Sequence, residues 1–241
     1  IAYLRNRGGK MYAVNVEQGI FGIIEDVNEK YDPVLMKTLT SSPEAIFSNI
    51  LVAPSGVPHW IGKGVVEPDS GTNFCGEWFK GKTDEQGNEI PCSHKNARYT
   101  IRLKDLENVD EHLDKPEGLP VGGVIYGGRD SDTSVPVCES FSWEHGVITM
   151  AASLESETTA ATLGKQGVRT FNPMSNLDFL SIPLGTYVAN HLTFGTRLSS
   201  TPKIFSVNYF LKDENGGYLN GIKDKHVWLK WMEKRVYAEA Q

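Results

Sequence analysis

The sequence has little cysteine, no long apolar run and no block of a single charge, and each absence removes a class of function. The three cysteines, Cys75, Cys92 and Cys138, are odd in number and far apart, so neither a disulfide framework nor a paired-cysteine zinc site is indicated. A reducing cytoplasm is the expected setting, and no chemistry is assigned to any of the three thiols. No apolar stretch approaches the roughly 20 residues that a membrane helix needs, so no membrane span is expected. The 24 Lys and Arg against 30 Asp and Glu leave a net charge of -6, and the basic residues are scattered, which offers no general attraction for nucleic acid. The chain also lacks G-x-x-x-x-G-K-[ST], H-E-x-x-H and G-x-S-x-G, three strong local signatures of catalysis. Any anionic ligand must be met by local basic pockets.

What is present is an ordinary globular composition: 241 residues, 39% hydrophobic and 22% charged, enough for one sizeable core. The start Ile1-Ala2-Tyr3-Leu4 is apolar without a charged leader, and Arg235 to Gln241 still reads as helix without a stop. The natural chain is expected to continue beyond both ends. Met11 to Val16 reads as a strand, Ile20 to Ile24 as an apolar run too short for a helix, and Pro33 as the opening of a short helix. Ala45 to Val52 suits a buried strand and Val57 to Trp60 an edge strand, while Glu67 to Cys92, dense in glycine and charge, reads as turns and loops. Strands are expected over 119–126, 135–138 and 204–210, and helices over 143–154, 183–198 and 225–239. Trp228, Trp231, Phe205, Tyr209 and Phe210 are read as core. The architecture expected is mixed α/β.

Three constellations could serve an anion. Arg98, with Asn96 close before it, follows a turn-rich segment, where a guanidinium can fork onto a carboxylate or phosphoryl group and an amide can fix orientation. Arg129 follows Gly127-Gly128 at a strand end, a common ligand position in α/β folds. Ser156 to Gly167 has little to bury apart from Leu163, which suits a mobile loop or lid. Phe171 and Phe179 flank Asn172-Pro173, where an aromatic face could stack on a base. From the residues alone, surface salt bridges, turn caps and core packing outrank these roles, and His94 has no metal-spaced partner.

The order of the pieces changes that ranking. Asn15-Val-Glu-Gln-Gly-Ile-Phe-Gly22, Pro91-Cys-Ser-His-Lys-Asn-Ala-Arg98, Val121-Gly-Gly-Val-Ile-Tyr-Gly-Gly-Arg129, Ser142-Trp-Glu-His-Gly-Val147, Ser156-Glu-Thr-Thr-Ala-Ala161 and Pro202-Lys-Ile-Phe-Ser-Val-Asn208 occur in that order. Together they resemble six motifs of the GTP-dependent phosphoenolpyruvate carboxykinases, collinear across nearly the whole chain. The resemblance implies the C-terminal nucleotide-binding region of such an enzyme, incomplete at both ends, as one domain over residues 1–241 with a lid near 156–167. It implies a lyase converting oxaloacetate and GTP to phosphoenolpyruvate, GDP and carbon dioxide with Mn²⁺ or Mg²⁺, in a cytoplasmic protein that is monomeric when complete.

By the same resemblance, Asn96 and Arg98 hold the substrate, with Arg98 also catalytic toward the transferring phosphoryl group. Arg129 and Phe179 serve the nucleotide, and Ser156, Glu157, Thr158, Thr159, Ala160 and Ala161 begin the lid. The phosphate loop, the paired aspartates and the metal-ligating lysine and histidine of the family are expected upstream of Ile1, so no metal ligand is assigned within the chain and the chain alone is expected to be inactive. Met174 and Leu184 stand where the family usually has phenylalanine, which leaves guanine against adenine selectivity open. Ala97 and Lys95 replace a serine and a proline without removing the amide or the guanidinium. A non-catalytic nucleotide- or anion-binding module remains the alternative.

Overall fold

The structure, a computed structural model, describes residues 2–157, 169–170 and 180–240. Its strands and helices are mixed, as expected, and divide into two compact units, one formed by Asn15–Lys115 with the first two residues, the other by Tyr3–Val14 and Pro116–Gln241.

In the first unit, strand Arg98–Arg102 is the centre of a three-stranded antiparallel sheet, flanked by Gly19–Ile23 and Ile46–Ser48. Burial along the central strand alternates, with Tyr99 and Ile101 buried and Arg98, Thr100 and Arg102 more exposed, as a pleat with one covered face requires. The covered face packs on Ile24, Met36, Leu39 and Trp60. Met36 and Leu39 come from the helix Pro33–Ser41, which begins at the proline because the missing N–H would be unpaired there in any case. Trp60 is 1% exposed and donates from Nε1 to Val27 O at 2.8 Å, so its polar atom is satisfied as its rings are buried, a burial worth roughly 2–3 kcal/mol.

The expected strand over Ala45 to Val52 is broken. Asn49 has φ +58°, a left-handed conformation that asparagine tolerates, and it divides Ile46–Ser48 from Leu51–Val52, which belong to different sheets. The second sheet has four short strands in the order Pro58–His59, Leu51–Val52, Ser70–Asn73, Gly76–Phe79. Pro58–His59 is the edge strand expected; the hairpin Ser70–Phe79 lies inside the stretch read as loops. Its core is small, with Leu51, Trp78 and Cys92 the buried residues.

In the second unit, strand Lys203–Val207 lies between Gly123–Gly127, which is parallel to it, and Val137–Glu139, which is antiparallel. Its side chains alternate between two cores. Ile204 faces Trp143, Val147 and Met150, whereas Phe205 and Val207 face Met232 of the helix Ile222–Val236. Trp228 stacks on Tyr209 at 5.3 Å, and Phe205 meets Trp231 edge-on at 5.8 Å, in line with their reading as core. Ala2–Arg7, Lys10–Asn15 and Leu119–Pro120 form a further small sheet, so the strand expected over 119–126 is two strands in two sheets.

The helix expected over 143–154 is one α-turn, Trp143–His145, continuing as a π-helical stretch, Gly146–Ala152. Ser142 caps it by accepting the His145 N–H at 3.2 Å. Gly146 lies so close to the sheet that a Cβ there would meet Ile204 at 2.5 Å. The helix Leu184–Thr196 packs beside this segment, and Trp143 Nε1 donates to His191 O at 2.9 Å.

Candidate functional site

The residues singled out fall into two groups, one in each unit. Asn96 and Arg98 follow a loop that the chain pins at several points. His94 N donates to Asn49 O at 3.0 Å, Ala97 N to His94 O at 2.9 Å, and Asn96 N to His94 Nδ1 at 2.9 Å. His94 therefore shapes the turn, and its ring meets Phe74 edge-on at 5.2 Å. Ala97 is fully buried, so its small side chain is a packing requirement.

The next residue, Arg98, opens the central strand on its less covered face. Its Nε donates to Asn96 Oδ1 at 3.0 Å, and its guanidinium carbon lies 4.9 Å from the centre of the Phe21 ring. These two contacts fix the plane of the guanidinium. Among the described residues Nη1 and Nη2 have no hydrogen-bond partner, which leaves a two-donor fork for a carboxylate or phosphoryl group. Phe21 belongs to a sequence motif already noted, yet only strand pairing shows that it shares a sheet face with Arg98. Close by in sequence, burial and Asp26 raise the Glu25 carboxyl above its ordinary range while Lys95 opposes them.

The second group is held together across about 28 residues of chain. Arg129 N donates to Ser156 Oγ at 3.1 Å, Arg129 Nε to Glu157 O at 2.8 Å, and Glu157 N to Arg129 O at 2.8 Å. The Glu157 carboxylate in turn accepts from Ser131 N at 2.9 Å and Ser131 Oγ at 2.6 Å. Gly128 permits this close approach, because a Cβ there would meet Glu155 O at 2.3 Å. Asn208, 2% exposed, donates from Nδ2 to Asp130 O at 2.8 Å and accepts the Phe210 N–H at 3.1 Å. It ties the end of the central strand to the loop after Arg129. Ser131 and Asn208 were missed as site supports, and no local pattern marks the first.

Leu184 lines an apolar pocket with Tyr126, Val147, Tyr187 and His191. Burial lowers the His191 imidazole pKa, favouring the neutral ring, and raises that of the Tyr126 phenol, with Tyr187 adding to the latter. Phe179, Met174, Thr158, Thr159, Ala160 and Ala161 lie outside the described residues.

A family model described as the phosphoenolpyruvate carboxykinase C-terminal P-loop domain matches residues 1–241, the whole chain. The chain belongs to that family. Relatives carrying the name phosphoenolpyruvate carboxykinase [GTP] include one from Pyrococcus abyssi, 59% identical over 242 residues, and one from Pyrococcus horikoshii, 60% identical over 240. A more distant one from Chlamydia muridarum is 36% identical over 241 residues. Each alignment covers 99% or more of this chain but 38–39% of the relative, so the chain spans well under half the length of the carboxykinases it matches. The mixed α/β fold and the collinear motifs accord with this membership.

Among the described residues, one group of three potential metal donors is brought together, His59, Glu67 and Cys92, with ligand atoms all within 4.8 Å of one another. It contains a thiol, a poor match for hard Mg²⁺ or Mn²⁺, which take oxygen ligands. That cluster therefore does not fit a carboxykinase metal.

Proposed function

We propose that the complete protein is a GTP-dependent phosphoenolpyruvate carboxykinase, converting oxaloacetate and GTP to phosphoenolpyruvate, GDP and carbon dioxide. The observation that carries the reading is the Asn96–Arg98 pair, a guanidinium oriented by its own neighbour with two donors left for an anion, on a chain matched throughout by the carboxykinase family. Loss of carbon dioxide from oxaloacetate leaves an enolate, whose oxygen takes the γ-phosphoryl group. The fork of Arg98 suits the substrate carboxylate and the oxygens of the transferring group, where fixed positive charge offsets charge that grows in the transition state. Asn96 orients the fork and offers its amide to the substrate.

In the second unit, Arg129 is the residue we assign to the nucleotide phosphates. Phe179 is assigned to the nucleotide base, where an aromatic face can stack. The segment from Ser156 is assigned the exclusion of water, since water would protonate the enolate to pyruvate. The metal, Mn²⁺ or Mg²⁺, is assigned to residues outside this chain, and no step is routed through it. A monomeric, cytoplasmic enzyme, and an inactive isolated chain 1–241, belong to the same reading.

The test is formation of GDP and phosphoenolpyruvate from oxaloacetate in the presence of Mn²⁺, comparing GTP with ATP, on the complete protein and on residues 1–241 side by side. GTP-dependent turnover by the complete protein alone supports the assignment. No turnover by either, with GTP still bound, would replace it with a non-catalytic binding module.

A further inference from the structure

His59, Glu67 and Cys92 are far apart in sequence, yet their ligand atoms all lie within 4.8 Å of one another. His59 is 5% and Cys92 1% exposed, and Glu67 is half-buried. Each comes from a different piece of the small four-stranded sheet and its loops: His59 from the edge strand, Glu67 from the loop before Ser70–Asn73, Cys92 from the segment leading to Asn96 and Arg98. We propose that these three side chains form a binding site for a thiophilic divalent cation of the zinc type, distinct from the carboxykinase metal, which clips this sheet to the loop that carries Asn96 and Arg98.

The donor set selects the ion. A thiolate and an imidazole favour zinc-type ions over magnesium or calcium, and with one carboxylate they leave a fourth tetrahedral position for water. Thiolate and carboxylate together carry two negative charges, which the cation neutralises, so the occupied site buries no net charge. Burial lowers the His59 pKa, with Lys63 adding to the effect and Glu67 opposing it, and so favours the neutral ring that can ligate. Without a metal, the Cys92 thiol shares a hydrogen bond with Glu67, and burial followed by that carboxylate pushes its pKa up to about 11. On binding, the thiol proton passes to solvent and the sulfur takes the cation in its place. Bond lengths of about 2.0–2.3 Å require the donors to draw in from a spacing of up to 4.8 Å, by side-chain rotation of Glu67 and His59 toward Cys92.

Nearby cations do not block the site. Lys63 directs its Nζ to Pro58 O at 2.6 Å and over the Trp60 ring at 4.6 Å. Lys80 lies 3.7 Å from the Glu67 carboxylate, but its side chain is exposed and the long contact weak, so a divalent ion displaces it. The position of the cluster also gives the clip a purpose. Leu51, Trp78 and Cys92 are a small core for four short strands, and small cores commonly depend on a metal or other staple. The loop is already tethered by Asn73 Nδ2 to Pro91 O at 3.1 Å and Cys92 O at 3.3 Å, and by Ser93 Oγ, which accepts the Ile61 N–H at 3.0 Å.

The test uses the complete protein, stripped with a chelator and titrated with Co²⁺ as a spectroscopic probe, then with Zn²⁺. One thiolate-to-cobalt charge-transfer band per chain is expected, bleached by Zn²⁺. That band reports sulfur ligation and is silent to a site of oxygen and nitrogen donors. Cys92→Ser should abolish it, and His59→Gln and Glu67→Gln should each weaken Co²⁺ binding at least about tenfold. Zn²⁺ should also raise the thermal midpoint of the stripped wild-type protein. Absence of the band in the wild-type protein overturns the proposal whatever the variants do, and so does a band that persists in Cys92→Ser.

Discussion

Replacing Gly128 by alanine adds one methyl group at the junction between Arg129 and the Ser156–Glu157 segment. That carbon would lie 2.3 Å from Glu155 O and 3.2 Å from Leu154 Cδ1. The closer atom belongs to the backbone, so no rotamer change relieves the clash, and the two segments must part by about 1 Å. Three hydrogen bonds span them: Arg129 N to Ser156 Oγ at 3.1 Å, Arg129 Nε to Glu157 O at 2.8 Å and Glu157 N to Arg129 O at 2.8 Å. At about 1 kcal/mol each, their loss costs about 3 kcal/mol, and strain adds to it. A displacement of this size also carries a rate penalty of about 100-fold when it moves a positioning group. Gly128→Ala in the complete protein should therefore lower the thermal midpoint and reduce kcat/KM for GTP by about two orders of magnitude. Gly185→Ala is the matched control. Nothing lies within 4 Å of its added carbon, and it sits in the first turn of helix Leu184–Thr196, so it should leave stability unchanged or raise it by up to about 1 kcal/mol. A Gly128→Ala protein that melts and turns over like wild type would refute the argument that this junction is closed by backbone contact.

Arg98→Ala should reduce phosphoryl transfer by about 1000-fold or more while the melting curve stays near wild type, because the side chain is half-buried on an open sheet face; near-normal turnover would remove Arg98 from the mechanism. Asn208→Leu should cost about 2–4 kcal/mol, measured by denaturant unfolding, since it removes the hydrogen bonds to the Asp130 carbonyl and from the Phe210 N–H and puts an apolar side chain in a fully buried polar position; a loss below about 1 kcal/mol would show that water replaces both contacts. Burial pushes the Glu139 carboxyl up, but hydrogen bonds from Arg235, at 2.5 Å, and Lys203 outweigh it and hold the pKa below its ordinary 4.5. A depressed carboxylate contributes stability that is present above its unfolded pKa and lost as pH falls through the folded one. Glu139→Gln should accordingly lower the thermal midpoint at pH 7, and the difference should close as pH drops below 4.5; a pH-independent difference would assign the effect to packing.

The parts of the fold legible in the sequence are those set by local chemistry. Pro33 announced its helix, and the apolar run around Ile204 the strand that proved central to its sheet. The failures share a cause in tertiary context. Asn49 looks unexceptional between apolar residues, yet its left-handed backbone sends the two halves of the run into separate sheets. The segment after His145 is π-helical rather than α-helical, and its Gly146 lies against Ile204, a partner 58 residues away that no window includes. At the candidate site, motif order singled out Asn96, Arg98 and Arg129, but what orients them was invisible. The Phe21 ring over Arg98 depends on strand register, and the grip of Ser131 on Glu157 spans 26 residues. The roles themselves rest on the carboxykinase resemblance, and the variants above test them.

The division of the chain also bears on how it is made. Residues 3–14 and 116–241 close one unit, with Asn15–Lys115 spliced between them, and Ala13 pairs with Leu119 where the two strands of the splice meet. A ribosome therefore releases residues 15–115 before it has synthesised Lys203–Val207, the central strand of the host unit's three-stranded sheet. Early collapse of the insert would draw its two ends together, shortening the loop that the host must close, and closure entropy rises with loop length. Order of synthesis thus leaves the inserted unit free to fold before the strand Lys10–Asn15 meets Leu119–Pro120.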